Sequence, residues 1–287
     1  MNTTISPKAI ALLEGAYDLH THTIPSHVPR ALDDMELLVE AAQYHMAGVL
    51  IKNHYEPTGA RAALVNRLAK LPRTKAYGGV VLNHPVGGLN PYAAESALKM
   101  GASIVWMPTR DAENCLLSGD MPGDFFKRPG ISVLDAKEKL LPVVYDIMDV
   151  VKKYGACLAT GHVSTKESLL LCKEGCARGV RMIFTHPEWE RTAAGAEAQH
   201  RAAKDGAVIE KNWYNIAEGG CTAAQMMHNI RAVGCHRVYL ATDRGQAGAE
   251  HPAEAMARFV ALLLENGFSE DELRDMIVRV PGELVAG

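Results

Sequence analysis

Six of the twelve histidines in this chain share one local setting: each stands at or just past the end of a short apolar run. They are His20 and His22 in DLHTHT, His54 in IKNHY, His84 in NHPVGG, His162 in TGHVS and His186 in FTHPE; Asp243 closes a further run in LATDRG. Neutral imidazoles and a carboxylate are ligands for zinc and similar divalent ions. Side chains alternate along an extended strand, so His20 and His22 project to the same side. One HxH pair is a weak signal on its own. Four run ends that carry the pair, TGH, THP and ATD together point to a divalent metal site. Cys172 and Cys176, four apart on an expected helix, offer half of another site, but two small residues on one helix face is the plainer reading.

These residues need a scaffold that brings strand ends to one place. Runs suited to strands occur at 15–20, 48–52, 76–83, 102–107, 156–161, 180–185, 206–211 and 236–242. They are mostly apolar rather than alternating, the pattern of parallel strands buried on both faces. Helical patterns follow them at 31–47, 61–71, 91–100, 135–154, 164–178, 192–204, 222–233 and 252–266, with a last one at 269–278. Proline opens the third, and STKE is a capping box at the start of the fifth. Eight strand–helix units predict an α/β protein, a (β/α)8 TIM barrel with some distortion, forming a single domain over 1–287. The six histidines and Asp243 then fall on the rim where barrel enzymes place their active sites. The interval 110–133 after the fourth strand breaks the rhythm; rich in Gly, Pro and Asp, it reads as a long loop over that rim.

Composition narrows the function classes. With 48% hydrophobic and 22% charged residues among 287, the chain is not intrinsically disordered. A net charge of −3 leaves no basic footprint for nucleic acid. No run approaches ~18 uninterrupted apolar residues, and the first twenty residues make a poor signal peptide. A cytoplasmic protein with reduced cysteines is therefore expected. Its expected partner is a small-molecule substrate, with neither nucleic acid nor membrane; a homo-oligomer is left open.

DLHTHT, TGHVS, FTHPE and LATDRG, in this order, resemble the amidohydrolase superfamily of metal-dependent barrel hydrolases, over roughly residues 15–266. The resemblance implies that His20, His22, His162 and Asp243 hold one divalent ion, zinc first and manganese or iron otherwise, with His186 beside the water. In two-metal members His162 and His186 together hold the second ion. The runs ending in WMPTRD and LNHPVGG lack the carboxylate or carboxylated lysine that would bridge two ions, which favours one metal; Lys52 or Glu56 could substitute. A divalent ion lowers the pKa of bound water from ~16 to ~7. Asp243 is then placed to accept the water's proton and pass it on, and His186 to orient the water or stabilise the oxyanion.

Around that set, Lys52, His54, His84 and Arg110 are the expected substrate-binding residues. Lys52 and Arg110 suit an anionic group. Asp18 is expected to orient a ligand histidine. His27 and Arg30 could close over a substrate, and Trp213, Tyr214 and Asn215 could wall it. Asp111 begins the long loop beside Arg110, and Arg244 is a further anion clamp candidate. His45, His200, His228, His236 and His251 read as solvated or structural. The expected activity is hydrolysis of an amide, lactam, imide or ester bond of a small molecule. The alternative keeps the same metal set in a one-metal lyase, a decarboxylase or hydratase acting on a carboxylated substrate.

Overall fold

The computed structural model describes residues 5–285. Eight parallel strands run in the order β1-β2-β3-β4-β5-β6-β7-β8. They span Tyr17–Thr21, Gly48–Ile51, Lys75–Val81, Ala102–Trp106, Cys157–Ala159, Arg181–Phe184, Val208–Asn212 and Val238–Ala241. Each expected strand is present, and the protein is a (β/α)8 barrel. Burial on both faces is why the strands read as continuous apolar runs: Leu19, Leu50, Ile104 and Ile183 point inward, while Val49, Val105 and Met182 pack under the helices.

The expected distortion lies at the closing seam and in two register shifts, between Asp18 and Thr21 and between Gly78 and Gly79. β8 returns to β1 through only a short stretch: Asp243 N donates to His20 O at 2.9 Å and His22 N to Arg244 O at 2.8 Å. The Asp18 carboxylate reinforces it, accepting from Thr242 N at 3.1 Å and Thr242 Oγ1 at 2.5 Å. Gly245 makes the close approach possible. Its φ is +133°, and a Cβ there would lie 1.8 Å from the His22 carbonyl oxygen.

The helices are α1 (Pro7–Leu12), α2 (Asp34–Gln43), α3 (Gly59–Ala69), α4 (Pro91–Lys99), α5 (Glu113–Leu117), α6 (Pro142–Lys153), α7 (Thr165–Ala177), α8 (Ala196–Asp205), α9 (Trp213–Ala217), α10 (Ala223–Val233), α11 (Pro252–Glu265), α12 (Glu270–Arg274) and α13 (Val280–Val285). Three differences from the sequence reading have clear causes. The long helix expected over 135–154 begins only at Pro142, because Asp135 folds 135–139 into a turn by accepting from Lys137 N and Lys139 N. Proline then opens the helix, where its missing N–H costs nothing. The helix expected at 192–204 starts at Ala196, behind an extended Gly195. The last expected helix, 269–278, divides into α12 and a π-helical turn over Asp275–Arg279.

α13 was not expected, and it plugs the barrel floor. Val280 and Leu284 join the inner core with Leu19, Leu50, Trp106 and Tyr239. Among the described residues no helix is long and apolar enough to cross a membrane. All six cysteines are free.

Candidate metal centre at the barrel mouth

The β1–β8 seam builds the centre. Its two hydrogen bonds set Asp243 opposite the HxH pair, with period-two alternation turning both rings inward. Asp243 Oδ1 lies 3.2 Å from His20 Nε2 and 3.0 Å from His22 Nε2. Ligand atoms of His20, His22 and Asp243 all fall within 4.8 Å of one another. Ligands at ~2.1 Å around a tetrahedral zinc ion stand about 3.4 Å apart, so this spacing fits a shared ion. Asp243 adopts φ +54°, a left-handed conformation that aspartate tolerates better than most residues.

His162, after β5, and His186, after β6, form a second pair beside the trio. Their Nε2 atoms face each other at 3.2 Å. Both Nδ1 atoms are buried without a partner. Buried ring nitrogens are nearly always bonded, so two orphans in one pocket call for an ion or water. His162 thus does not join the tight three-residue group expected to include it. Trp189 backs the pair, its ring 4.5 Å from His162 and 5.3 Å from His186.

Burial and charge set the protonation pattern. Burial holds His22 and His162 well below the ordinary imidazole value and lowers His186 to about 4, so all three are neutral and ligand-ready. Burial also opposes a proton on His20, but the charges of Asp243 and Glu210 outweigh it and raise His20 to about 9. Asp243 stays well below the usual carboxylate range; burial pushes it up, and His20 and His22 pull it further down. Burial lowers Lys52, at the end of β2, to about 8; its Nζ lies 3.0 Å from His20 Nε2.

The sequence reading missed Glu210. On β7 its Oε1 meets His20 Nδ1 at 2.9 Å, and Tyr239 donates its hydroxyl to Oε2. It thereby orients the ring and directs Nε2 toward Asp243. The available signal was a glutamate in GAVIEK, an otherwise apolar strand interior. Asp18 was expected in that role, but it bonds to backbone and to Thr242, holding the seam rather than a ring. Glu210→Gln is expected to lower metal affinity roughly 10- to 100-fold while the fold persists. Competition titration against a chromophoric chelator, with circular dichroism alongside, would show this; unchanged affinity would remove Glu210 from the site.

Above the centre lies a cavity of about 490 Å³. Lys52, His54, Arg110, His162, His186 and Asp243 line it, joined by Arg30 and Tyr214. His54 Nδ1 is 2.8 Å from Thr109 Oγ1, and its ring stacks on His22 at 5.1 Å. The 110–133 segment does lie over the mouth, contributing Met121 and Pro122 to the lining. It also contains α5 and is tied down by Arg128 to Asp111 and Asp124.

Several expected substrate contacts fall elsewhere. His84 sits in an exposed 3-10 turn, its Nε2 2.9 Å from Pro129 O, outside the cavity lining. It is turned toward the long loop, which supplies Pro129. Glu56 is bound by Arg61 and Asn53, away from the ligands. His27 is exposed and stacks on Tyr55. Trp213 packs on Phe259 and Asn215 is buried, so only Tyr214 of that trio faces the cavity. Arg244 is neutralised by Glu218 and Glu250. Of the five histidines set aside, four are exposed and His251 pairs with Glu40.

Fold and site together define a (β/α)8 barrel with a cluster of side chains at its mouth that could hold a metal ion. The chain belongs to the family described as "Family of unknown function (DUF6282)", which matches residues 15–210. No curated protein matches its sequence. Among solved structures, it is similar to an amidohydrolase from Pseudomonas aeruginosa, at 13% identity and a TM-score of 0.65, covering 98% of this chain and 100% of that one. It is also similar to the organophosphorus hydrolase from Deinococcus radiodurans, at 12% identity and a TM-score of 0.61, covering 96% and 93%. At these identities the likeness shows the shared barrel.

Proposed function

We propose that this protein is a divalent-metal-dependent hydrolase of the amidohydrolase type, cleaving an amide, lactam, imide or ester bond of a small molecule. The observation that carries the reading is the clustering of the His20, His22 and Asp243 donor atoms within 4.8 Å at the base of the mouth cavity. The likeness of the barrel to an amidohydrolase and to an organophosphorus hydrolase supports it. His20, His22 and Asp243 would hold one ion, zinc first, with His162 as the fourth ligand. Bound there, the ion supplies Lewis acidity, bringing the pKa of water from ~16 toward ~7.

The protein's own groups do the rest. Asp243 Oδ1 faces the two histidines, while Oδ2 has no hydrogen bond among the described residues and is free to accept a proton. The low affinity of Asp243 for protons suits a group that relays one rather than keeps it. Neutral His186 can donate to an oxyanion or orient water through one nitrogen. Glu210 holds His20, and Met121 and Pro122 of the long loop cover the mouth.

Elemental analysis of purified, unchelated protein tests the reading first. About one zinc, manganese or iron per chain is expected, followed by chelator-sensitive hydrolysis in a screen of lactams, imides and esters. Product analysis separates a hydrolase from a lyase: released carbon dioxide marks a decarboxylase, and a new acid with its amine or alcohol marks a hydrolase. No metal, and none taken up on addition, would overturn it.

The His20 proton makes a further prediction. Below about pH 9 the metal-free site carries that proton, and an ion must displace it. Metal uptake near neutral pH is therefore expected to release about one proton per ion. Affinity should rise roughly tenfold per pH unit up to about 9 and then level off. Calorimetry in two buffers of different ionisation enthalpy reads the released proton directly; identical heats would contradict it.

A further inference from the structure

Several buried or half-buried arginines in this protein are neutralised by carboxylates. Arg61 is bound by Asp34 and Glu56, Arg128 by Asp111 and Asp124, and Arg244 by Glu218 and Glu250. Arg30 breaks the pattern. It is half-buried in the cavity wall, yet its guanidinium makes no hydrogen bond or ion pair among the described residues, and its Nε is buried without a partner. Its position is not accidental to a loose loop. Arg30 pairs in an antiparallel bridge with Gln246, and Ala31 N donates to Gly245 O at 2.9 Å. The loop after β1 is thus fastened to the loop that follows Asp243.

Arg110 lines the same cavity. Its Nη1 is held by Pro122 O at 2.7 Å and Asp124 Oδ1 at 3.0 Å, leaving a buried Nε without an acceptor. With Lys52, three cationic side chains line the cavity; Asp124 behind the wall offsets Arg110, and the one carboxylate in the lining, Asp243, is taken up by the histidines. Desolvating like charges around a void is unfavourable unless something anionic fills it.

We propose that the cavity binds an oxyanion of the substrate, a carboxylate or a phosphate, between the guanidiniums of Arg30 and Arg110, beside the reacting bond. The planar fork of Arg30 matches such a group with two parallel hydrogen bonds. This assigns Arg30 a specificity role and makes the substrate class a small acid carrying a hydrolysable bond. It rests on the hydrolase reading for the identity of that bond, but not for the anion itself.

Titration calorimetry with succinate, inorganic phosphate and uncharged succinamide, on the protein with its metal as isolated, tests the assignment. Succinate or phosphate is expected to bind at least about tenfold more tightly than succinamide. Arg30→Gln should weaken the anion roughly 10- to 100-fold at unchanged metal content. Arg30→Lys keeps the charge but loses the fork and should fall between; it carries the test should the Gln variant disturb the loop. Equal binding of succinate and succinamide, no binding of either anion, or an Arg30→Gln affinity unchanged would each overturn the proposal. Metal content on the same samples keeps the two readings separate: a metal-free protein that still binds succinate through Arg30 loses the hydrolase reading alone.

Discussion

Asp243→Asn is expected to leave the barrel folded, to remove the bound metal, and to cut hydrolysis by on the order of a thousandfold or more. Asparagine is the informative substitution because the residue sits at φ +54°, which asparagine adopts readily and alanine does not. The variant therefore alters charge and little else. What it removes is large. Asp243 is the only carboxylate in the three-residue cluster, and its Oδ1 is the atom that both His20 and His22 face. An amide oxygen is a poor ligand for a zinc-like ion and accepts no proton from water. His228→Ala, at an exposed position on α10, is the matched control and should retain metal and activity. Metal counting by elemental analysis reads the first effect before any substrate is known. An Asp243→Asn protein with full metal occupancy would remove the aspartate from the centre.

The largest effect on stability is expected away from the ligands. Lys211, on β7 next to Glu210, points outward under α8 and α10 and is fully buried. Its ammonium contacts Glu188 Oε1 and Gln199 Oε1, while Gln199 Nε2 and Asn229 Nδ2 each donate to Glu188 Oε1 at 2.9 Å. Burial pulls Lys211 below the ordinary lysine range, and the contact with Glu188 opposes that shift. Lys211→Met would strand the Glu188 carboxylate in the interior, at a cost of about 3–5 kcal/mol. For a domain of this size that lowers the melting temperature by roughly 10 °C. Glu188 is two residues past His186 and immediately before Trp189, so the loss should also loosen the His186 loop. Adding Glu188→Gln to Lys211→Met should recover part of the stability, because the uncompensated charge is gone. Urea denaturation of the two variants measures both quantities. A single-variant loss under about 1 kcal/mol would mean that water reaches the pair.

Neighbouring residues of β7 thus serve opposite sides of one strand. Glu210 turns in to hold His20, and Lys211 turns out to anchor the loop that carries His186. Alternation along a strand makes this division automatic, and it couples the centre to the shell of helices around it.

Much of this was readable in the residues alone. Parallel strands buried on both faces must be apolar throughout, so eight runs such as GVLIK and VRMIFT announced themselves, and a histidine or aspartate at or just past the end of six of them stood out as chemically costly there. Period-two alternation placed His20 and His22 on one side without any knowledge of tertiary contacts. The rim and the covering 110–133 segment follow from the same reasoning.

The tertiary structure alone decided which distant residues meet. Only the β1–β8 seam shows that Asp243 lies between the two histidines, and only the path of each loop separates Arg30, which enters the cavity, from His84, which turns away to Pro129. Glu210 and Lys211 look alike in sequence, as charges in an apolar strand, until their partners from β1 and the His186 loop arrive. The floor plug by α13 depends likewise on where the chain goes after the last barrel helix. Local pattern reports what a residue must avoid, which is water or its absence. Partnership depends on strand register and loop course, which are set by packing among segments far apart in the chain.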